Sequence, residues 1–357
     1  MELYDLLKNP LWENLKAETR PILLYGMGNG ADKILAYCEK FGIKVSGVFA
    51  SDGFVRNKKF HDMQIRSYSD SKKIFGDDIV VLLSFATSLP DVMENIKKIA
   101  SEVTLYAPDV PVYGDNLFDS IFLTENFEKI NKVYSLLADE RSKELYTDII
   151  KYKISGDISY LEKTDLEQDY MESVLHAKEF TSYVDAGAYK GDTILRQREY
   201  SPNLKRIYAV EPDPSTYKKL CACMEAEGIS ATAFNCALSD EEGESFFHGG
   251  GGRGSTVNTE GKKIILVNKL DYLLGDKKNG IDFIKYDVEG SEYDALLGSN
   301  QTINASRPSL LVSLYHRSED LFELPLLISN IFYSSKLYLR RTKGIPAWDI
   351  NLLVVPE

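Results

Sequence analysis

Tyr183-Val184-Asp185-Ala186-Gly187-Ala188-Tyr189-Lys190-Gly191-Asp192-Thr193 reads as a buried strand, a glycine turn and the start of a helix. The strand is expected over residues 180–184 and the helix from about Thr193. Gly187 and Gly191 stand where the backbone turns sharply and a ligand can come close. Asp185 ends the strand, and in open α/β sheets ligands bind beyond the carboxyl ends of the strands. The spacing is Gly-x-x-x-Gly rather than the Gly-x-Gly-x-x-Gly of a dinucleotide fold. A pyrophosphate needs backbone N–H groups packed against it at a helix start. A ligand without a phosphate does not, and a cationic or amino-bearing one favours a neighbouring carboxylate.

Downstream, strand and helix patterns alternate. Arg206-Ile207-Tyr208-Ala209-Val210-Glu211 is a strand with an acid at its end, 24 residues after Gly187 (211 − 187), near the spacing of a ribose-binding acid. Pro212-Asp213-Pro214 leads into a helix expected over 215–227. Further strands are expected over 231–235, 282–288 and 309–316, with a final antiparallel one over 350–355. Polar groups therefore collect at consecutive strand ends: Asp185, Glu211, Asn235, Asp287 and His316. That is the layout of a ligand crevice.

Upstream, residues 1–20 read as an amphipathic lead-in helix, followed by strands over 21–25, 44–49, 79–84 and 103–106 and helices up to Phe41 and over 92–100. This predicts a smaller Rossmann-like unit over 1–108. Its loop, Gly26-Met27-Gly28-Asn29-Gly30, with Asp52 at the next strand's end, invites a nucleotide reading, but it is one glycine short of the full fingerprint, with Ala at position 31 and Lys33 two residues later. A tight-turn scaffold is the alternative. Residues 109–179 carry helical periodicity over 127–138 and 142–154, the second stopped by Ser155-Gly156-Asp157, and read as a helical linker or cap. Tyr170 lies just ahead of the second unit, 180–357, and is a candidate cover for its ligand.

The chain has 357 residues, long for one domain, with a net charge of −12 that disfavours nonspecific binding to nucleic acid or anionic membranes. Cys38, Cys221, Cys223 and Cys236 form no Cys-x-x-Cys pair and are expected as free thiols. The N-terminal residues lack a signal-peptide pattern and no apolar run is of bilayer length, so a cytoplasmic location without membrane insertion is expected. Homo-oligomerisation is left open.

The ordered set resembles the FkbM family of S-adenosylmethionine-dependent methyltransferases, in the variety with an extra N-terminal unit. The resemblance runs from about Tyr160 to the chain end and rests on Val184 to Thr193, Val210-Glu211-Pro212-Asp213, Asn235-Cys236-Ala237-Leu238-Ser239 and Asp282-Phe283-Ile284-Lys285-Tyr286-Asp287-Val288-Glu289-Gly290-Ser291-Glu292. It continues through Leu296-Leu297-Gly298, Arg307-Pro308 and Tyr315-His316-Arg317-Ser318-Glu319-Asp320-Leu321. It implies an α/β fold: a class I methyltransferase-like Rossmann sheet preceded by the smaller Rossmann-like unit and the helical linker. It implies S-adenosyl-L-methionine as cofactor and O-methylation of a sugar, glycan or related hydroxylated small molecule.

On this reading Asp185, Gly187, Tyr189, Gly191 and Thr193 hold the methionyl end, Glu211 and Asp213 the ribose side, and Asn235 and Ala237 border the adenine. Asp287, Glu289 and His316 are the catalytic candidates, with Asp287 equally readable as a cofactor ligand and Glu289 and Glu292 as helix caps. Along an extended chain Lys285, Asp287 and Glu289 point the same way, and Lys285 reads equally as an ion-pair partner. No metal ligand is assigned, since no tight ligand spacing appears; a divalent cation is left open without support. The glycine-rich loop 248–255 and Arg341, where relatives often carry histidine, depart from the family and are expected to border the substrate. The competing readings are a nucleotide-sugar- or NAD-binding enzyme centred on the loop 26–30, and a non-catalytic binding module.

Overall fold

The computed structural model describes residues 1–51, 59–248, 256–257 and 263–357; Asp52 and residues 249–255 of the glycine-rich loop lie outside them. The first sheet contains β1 (Ile22–Tyr25), β2 (Val45–Ala50), β3 (Lys59–Phe60), β4 (Met63–Ser67), β5 (Val80–Leu83) and β6 (Thr104–Tyr106). Their order is β3-β4-β2-β1-β5-β6, parallel except for the β3–β4 hairpin. β1 and β5 are apolar at every position and buried throughout, as parallel strands covered on both faces must be. Pro10 divides the expected lead-in helix into Leu3–Leu6 and Leu11–Lys16. β4 and the helix Tyr68–Phe75 escaped the sequence reading, because Met63-Gln64-Ile65-Arg66-Ser67 buries only Ile65 and carries little apolar signal.

The second sheet is assembled from β7 (Ser182–Ala186), β8 (Arg206–Val210) and β9 (Thr232–Phe234). After two two-residue strands and two of six residues, β10 (Ala237–Leu238), β11 (Gly243–His248), β12 (Thr256–Val257) and β13 (Lys263–Asn268), it resumes with β14 (Phe283–Tyr286), β15 (Ser309–Ser313), β16 (Ser335–Arg341) and β17 (Ile350–Pro356). Its order is β16-β17-β15-β14-β7-β8-β9, with β17 antiparallel to both neighbours as expected. From β7 the chain winds one way to β8 and β9, then returns to the other side with β14. The β7–β14 junction is therefore the point where a crevice opens above the carboxyl ends. β16 was not anticipated, nor was the four-stranded sheet β10-β13-β11-β12.

Between the sheets stand two long helices. Ser120–Leu136 is capped by Asp119, whose carboxylate accepts from Ile121 N and Phe122 N. Glu140–Ser155 is capped by Asp139 and stopped by Gly156 in the left-handed conformation. Their apolar faces, including Ile130, Tyr146 and Ile150, join one buried cluster with Tyr25 and Val81 of the first sheet and Val312 and Val354 of the second. The segment is thus a packed middle layer. Ala138 N donates to Leu337 O at 2.9 Å, tying it to β16. All four cysteines are free, and among the described residues no helix is long and apolar enough to cross a membrane.

Candidate active site

A cavity of about 270 Å³ opens above the carboxyl ends of β7, β8 and β14. On its β7–β8 side it is walled by Gly187, Tyr189, Thr193, Glu211 and Asp213. Gly187 has φ +89°, and a Cβ there would overlap the Asp287 carbonyl oxygen, so the turn after β7 and the end of β14 pack backbone to backbone. Glu211 is held by two main-chain donors: Tyr189 N to Oε2 at 3.1 Å and Asp213 N to Oε1 at 2.8 Å. Burial outweighs these donors and pushes its carboxyl up to about 7. Asp213 caps the helix Pro214–Ala226 through Ser215 N and Thr216 N.

The opposite wall is ionic. Lys285 Nζ lies 3.1 Å from Asp287 Oδ2 and 3.7 Å from Asp185 Oδ1. Ser313 Oγ and Tyr315 OH donate to Asp287 Oδ1 at 3.1 and 3.3 Å. Burial alone would raise the Asp287 carboxyl, but the Lys285 and His316 charges hold it well below the usual carboxylate range. His316 is fully buried. Its Nδ1 sits 2.9 Å from Glu292 Oε1, and its Nε2 lies 3.6 Å from Asp287 Oδ1 and 3.5 Å from Glu289 Oε2. Burial depresses the imidazole; Glu292, Asp287 and Glu289 together outweigh it and lift the ring to about 9. Glu289 is raised by its own burial, against the pull of His316.

These positions revise the sequence reading in several places. Asp185 is fully buried and stands behind the wall, where Thr193 Oγ1 donates to Oδ2 and burial raises its carboxyl against the Lys285 charge. Gly191 turns toward the helix Pro214–Ala226, and a Cβ there would come within 2.5 Å of the Met224 methyl. The Asn235 side chain donates to the carbonyls of Glu211 and Pro212, while Ala237 and Leu238 line the cavity. β14 ends at Tyr286, so Glu289 reaches the cluster through a left-handed residue (φ 56°) and not by strand alternation. Arg341 does not reach the cavity: it is buried, donates to the carbonyls of Leu161 and Gly344, and desolvation lowers it to about 10. Tyr170 does line the cavity, as does Glu167, which pairs with Arg196 at 3.3 Å.

Glu292 does more than cap a helix. Its carboxylate accepts from Val288 N at 2.8 Å and Gly290 N at 3.0 Å as well as facing the imidazole. Ligand-type atoms of Asp287, Glu292 and His316 lie within 4.8 Å of one another, but Glu292 Oε1 is already occupied by the Val288 amide and the imidazole. Sequence reasoning missed Glu167, Arg196 and, most consequentially, Tyr113. Tyr113 reaches Glu289 across 176 positions of chain, and no local pattern announces such a contact.

Residues 185–333 match the model of the methyltransferase FkbM domain. No curated protein matches the chain. A crystal structure of the methyltransferase FkbM from Methylobacillus flagellatus KT is similar over 98% of this chain and 94% of its own, with a TM-score of 0.73 at 16% identity. Aeropyrum pernix fibrillarin, solved with natively bound S-adenosyl-L-methionine, is 11% identical over 50% of this chain and 67% of its own, with a TM-score of 0.34. An rRNA methylase from Streptococcus thermophilus is 11% identical over 54% of this chain and 99% of its own, with a TM-score of 0.36. The crevice at the β7–β14 junction, its glycine turn and its ionic wall are thus built largely from the residues, 185–333, that match the model of the methyltransferase FkbM domain.

Proposed function

We propose that the protein is an S-adenosylmethionine-dependent O-methyltransferase acting on a sugar, a glycan or a related hydroxylated small molecule. The observation that carries this is Glu211, a carboxyl at the cavity wall already held by the main chain on both oxygens, with an ionic cluster on the wall across from it. The donor set fits that cofactor: an acid for ribose hydroxyls, a glycine turn that packs without a phosphate cradle, and acidic groups suited to a cationic centre. Glu211 would accept from the ribose, the 187–189 backbone would meet the amino-acid end, and Ala237 with Leu238 would flank the adenine. Asp185, from behind the wall, would fix Thr193 and Lys285.

When bound, S-adenosylmethionine supplies an activated methyl group on a positively charged sulfur. The protein's own task is to align the acceptor hydroxyl and take its proton. Glu289 suits the second role, because it lines the cavity and burial raises its basicity. His316, locked through Nδ1 by Glu292, would stabilise the carboxylates on either side of Nε2. Asp287, firmly ionised, would orient the acceptor and keep Lys285 charged. Incubating the protein with S-adenosylmethionine carrying a labelled methyl group and a panel of hydroxylated sugars should label at least one of them. Asp287→Asn and Glu289→Gln should each lower that turnover about 100-fold or more. Unchanged turnover in both variants would refute the assignment of roles.

A further inference from the structure

The glycine loop at residues 26–30 finds no role in methyl transfer as described above, yet the chain runs from it to the catalytic corner in two steps. Two of its glycines are explained by packing. A Cβ on Gly26 would lie 2.6 Å from the Phe85 ring, and one on Gly30 would lie 2.5 Å from the Ser84 carbonyl oxygen. The helix that follows, Asn29–Lys40, carries Ala31 at the fingerprint's last small position and Lys33 two residues further on. The Lys33 ammonium is not free for a phosphate. It donates to the carbonyls of Pro111 and Val112 at 2.8 and 2.5 Å.

The next residue is Tyr113. Its backbone N–H donates to the His316 carbonyl at 2.9 Å and its hydroxyl to Glu289 Oε2 at 3.0 Å. Its ring lies 5.9 Å from the imidazole and walls in Gly290, where a Cβ would come within 3.1 Å of the Tyr113 ring. Beyond it, Ser318 Oγ donates to the Asn116 carbonyl at 2.6 Å and Asn116 Nδ2 to Glu319 at 3.3 Å. Residues 111–116 thus form a strap fastened at one end to the first sheet's helix and at the other to the segment after β15.

We propose that the N-terminal unit serves the methyl-transfer corner as a mount: Lys33 holds the strap, and the strap's Tyr113 hydroxyl fixes Glu289 beside His316. Tyr113 and Lys33 are positioning residues, and the assignment rests on the catalytic reading of Glu289 and His316 given above. The hydroxyl's hydrogen bond also draws the Glu289 carboxyl down against the burial that raises it. His316 also faces Glu292, Asp287, Asp320 and the Tyr315 ring, none of which the strap carries.

The test needs no acceptor. The chain has four histidines, so the His316 ring signal can be assigned and titrated by NMR in protein labelled at histidine. Tyr113→Phe should move the His316 midpoint down by roughly half a pH unit, because Glu289 is no longer fixed beside Nε2 and supports the imidazolium less. Lys33→Met should move it in the same direction while leaving Tyr113 intact. A His316 midpoint unmoved in both variants would overturn the proposal even if their melting temperatures fell, since strap packing alone would then be at stake. Titration of the wild type with NADH should show no saturable binding; saturable binding weakened by Lys33→Met would overturn it too. S-adenosylhomocysteine binding, measured alongside, tests the methyltransferase reading separately. A protein that fails to bind it while the His316 shift appears would lose that reading and keep the strap.

Discussion

Glu211 is a buried acid at a cavity wall, and its chemistry gives two opposed pH trends. Its carboxyl rises from an ordinary 4.5 to about 7 because burial penalises the charge. Between those values the folded protein holds a proton that the unfolded chain has released. Stability of the ligand-free protein therefore falls as pH rises from about 4.5 to about 7. Glu211→Gln should remove that loss and stabilise the protein at pH 8 by on the order of 2 kcal/mol, read from urea unfolding at pH 5 and pH 8. A variant less stable than the wild type at pH 8 would contradict this. Cofactor binding should run the other way and tighten as pH rises through 7, where the acceptor carboxylate forms. Asp287 behaves differently, because its charge is paired with the largely enclosed Lys285. Asp287→Asn leaves that ammonium with Asp185 alone at 3.7 Å and should cost about 2–4 kcal/mol in the same assay.

At the scale of the element, the turn after β7 is fixed by its approach to β14. Gly187→Ala should cost about 3 kcal/mol or more, since it adds a left-handed strain to an overlap with the Asp287 carbonyl. Gly228→Ala, also left-handed but in open space, should cost only ~1–2 kcal/mol. Equal losses in thermal unfolding would show that strain, and not the β7–β14 contact, governs the turn. This turn was legible in the sequence because strand, glycine and acid are local signals. So were the parallel strands β1 and β5, whose apolar runs declare burial on both faces, and β7 and β14, which are mostly apolar and bounded by turn signals. β4 and β16 were not, since their polar positions interrupt any run. Of the strand-end residues, Glu211 and Asp287 line the cavity. Asp185, one of the same series, could not be told apart from them, because its burial depends on Lys285 and Thr193 closing over it. Tyr113, Glu292's grip on His316 and the Lys33 anchor are long-range or side-chain geometries that no spacing encodes.

At the scale of the whole molecule, one buried cluster runs from β1 and β5 through the middle helices to β15 and β17. The two sheets should therefore melt together. Scanning calorimetry should show a single cooperative transition, and a fragment beginning at residue 180 should be far less stable than the full chain; two separated transitions would contradict a shared core. The same connectivity brings Thr87 against Ile345, joining the end of β5 to the loop between β16 and β17. Sheet, middle layer and strap converge on a single crevice, and its occupant is the point on which everything functional depends. Calorimetric titration with S-adenosylhomocysteine at pH 8 measures it directly. One site per chain should be seen, weakened at least tenfold by Glu211→Ala, whereas a wild-type protein that takes up no ligand, or a variant that binds as tightly, would contradict the assignment of this cavity to the methyl donor.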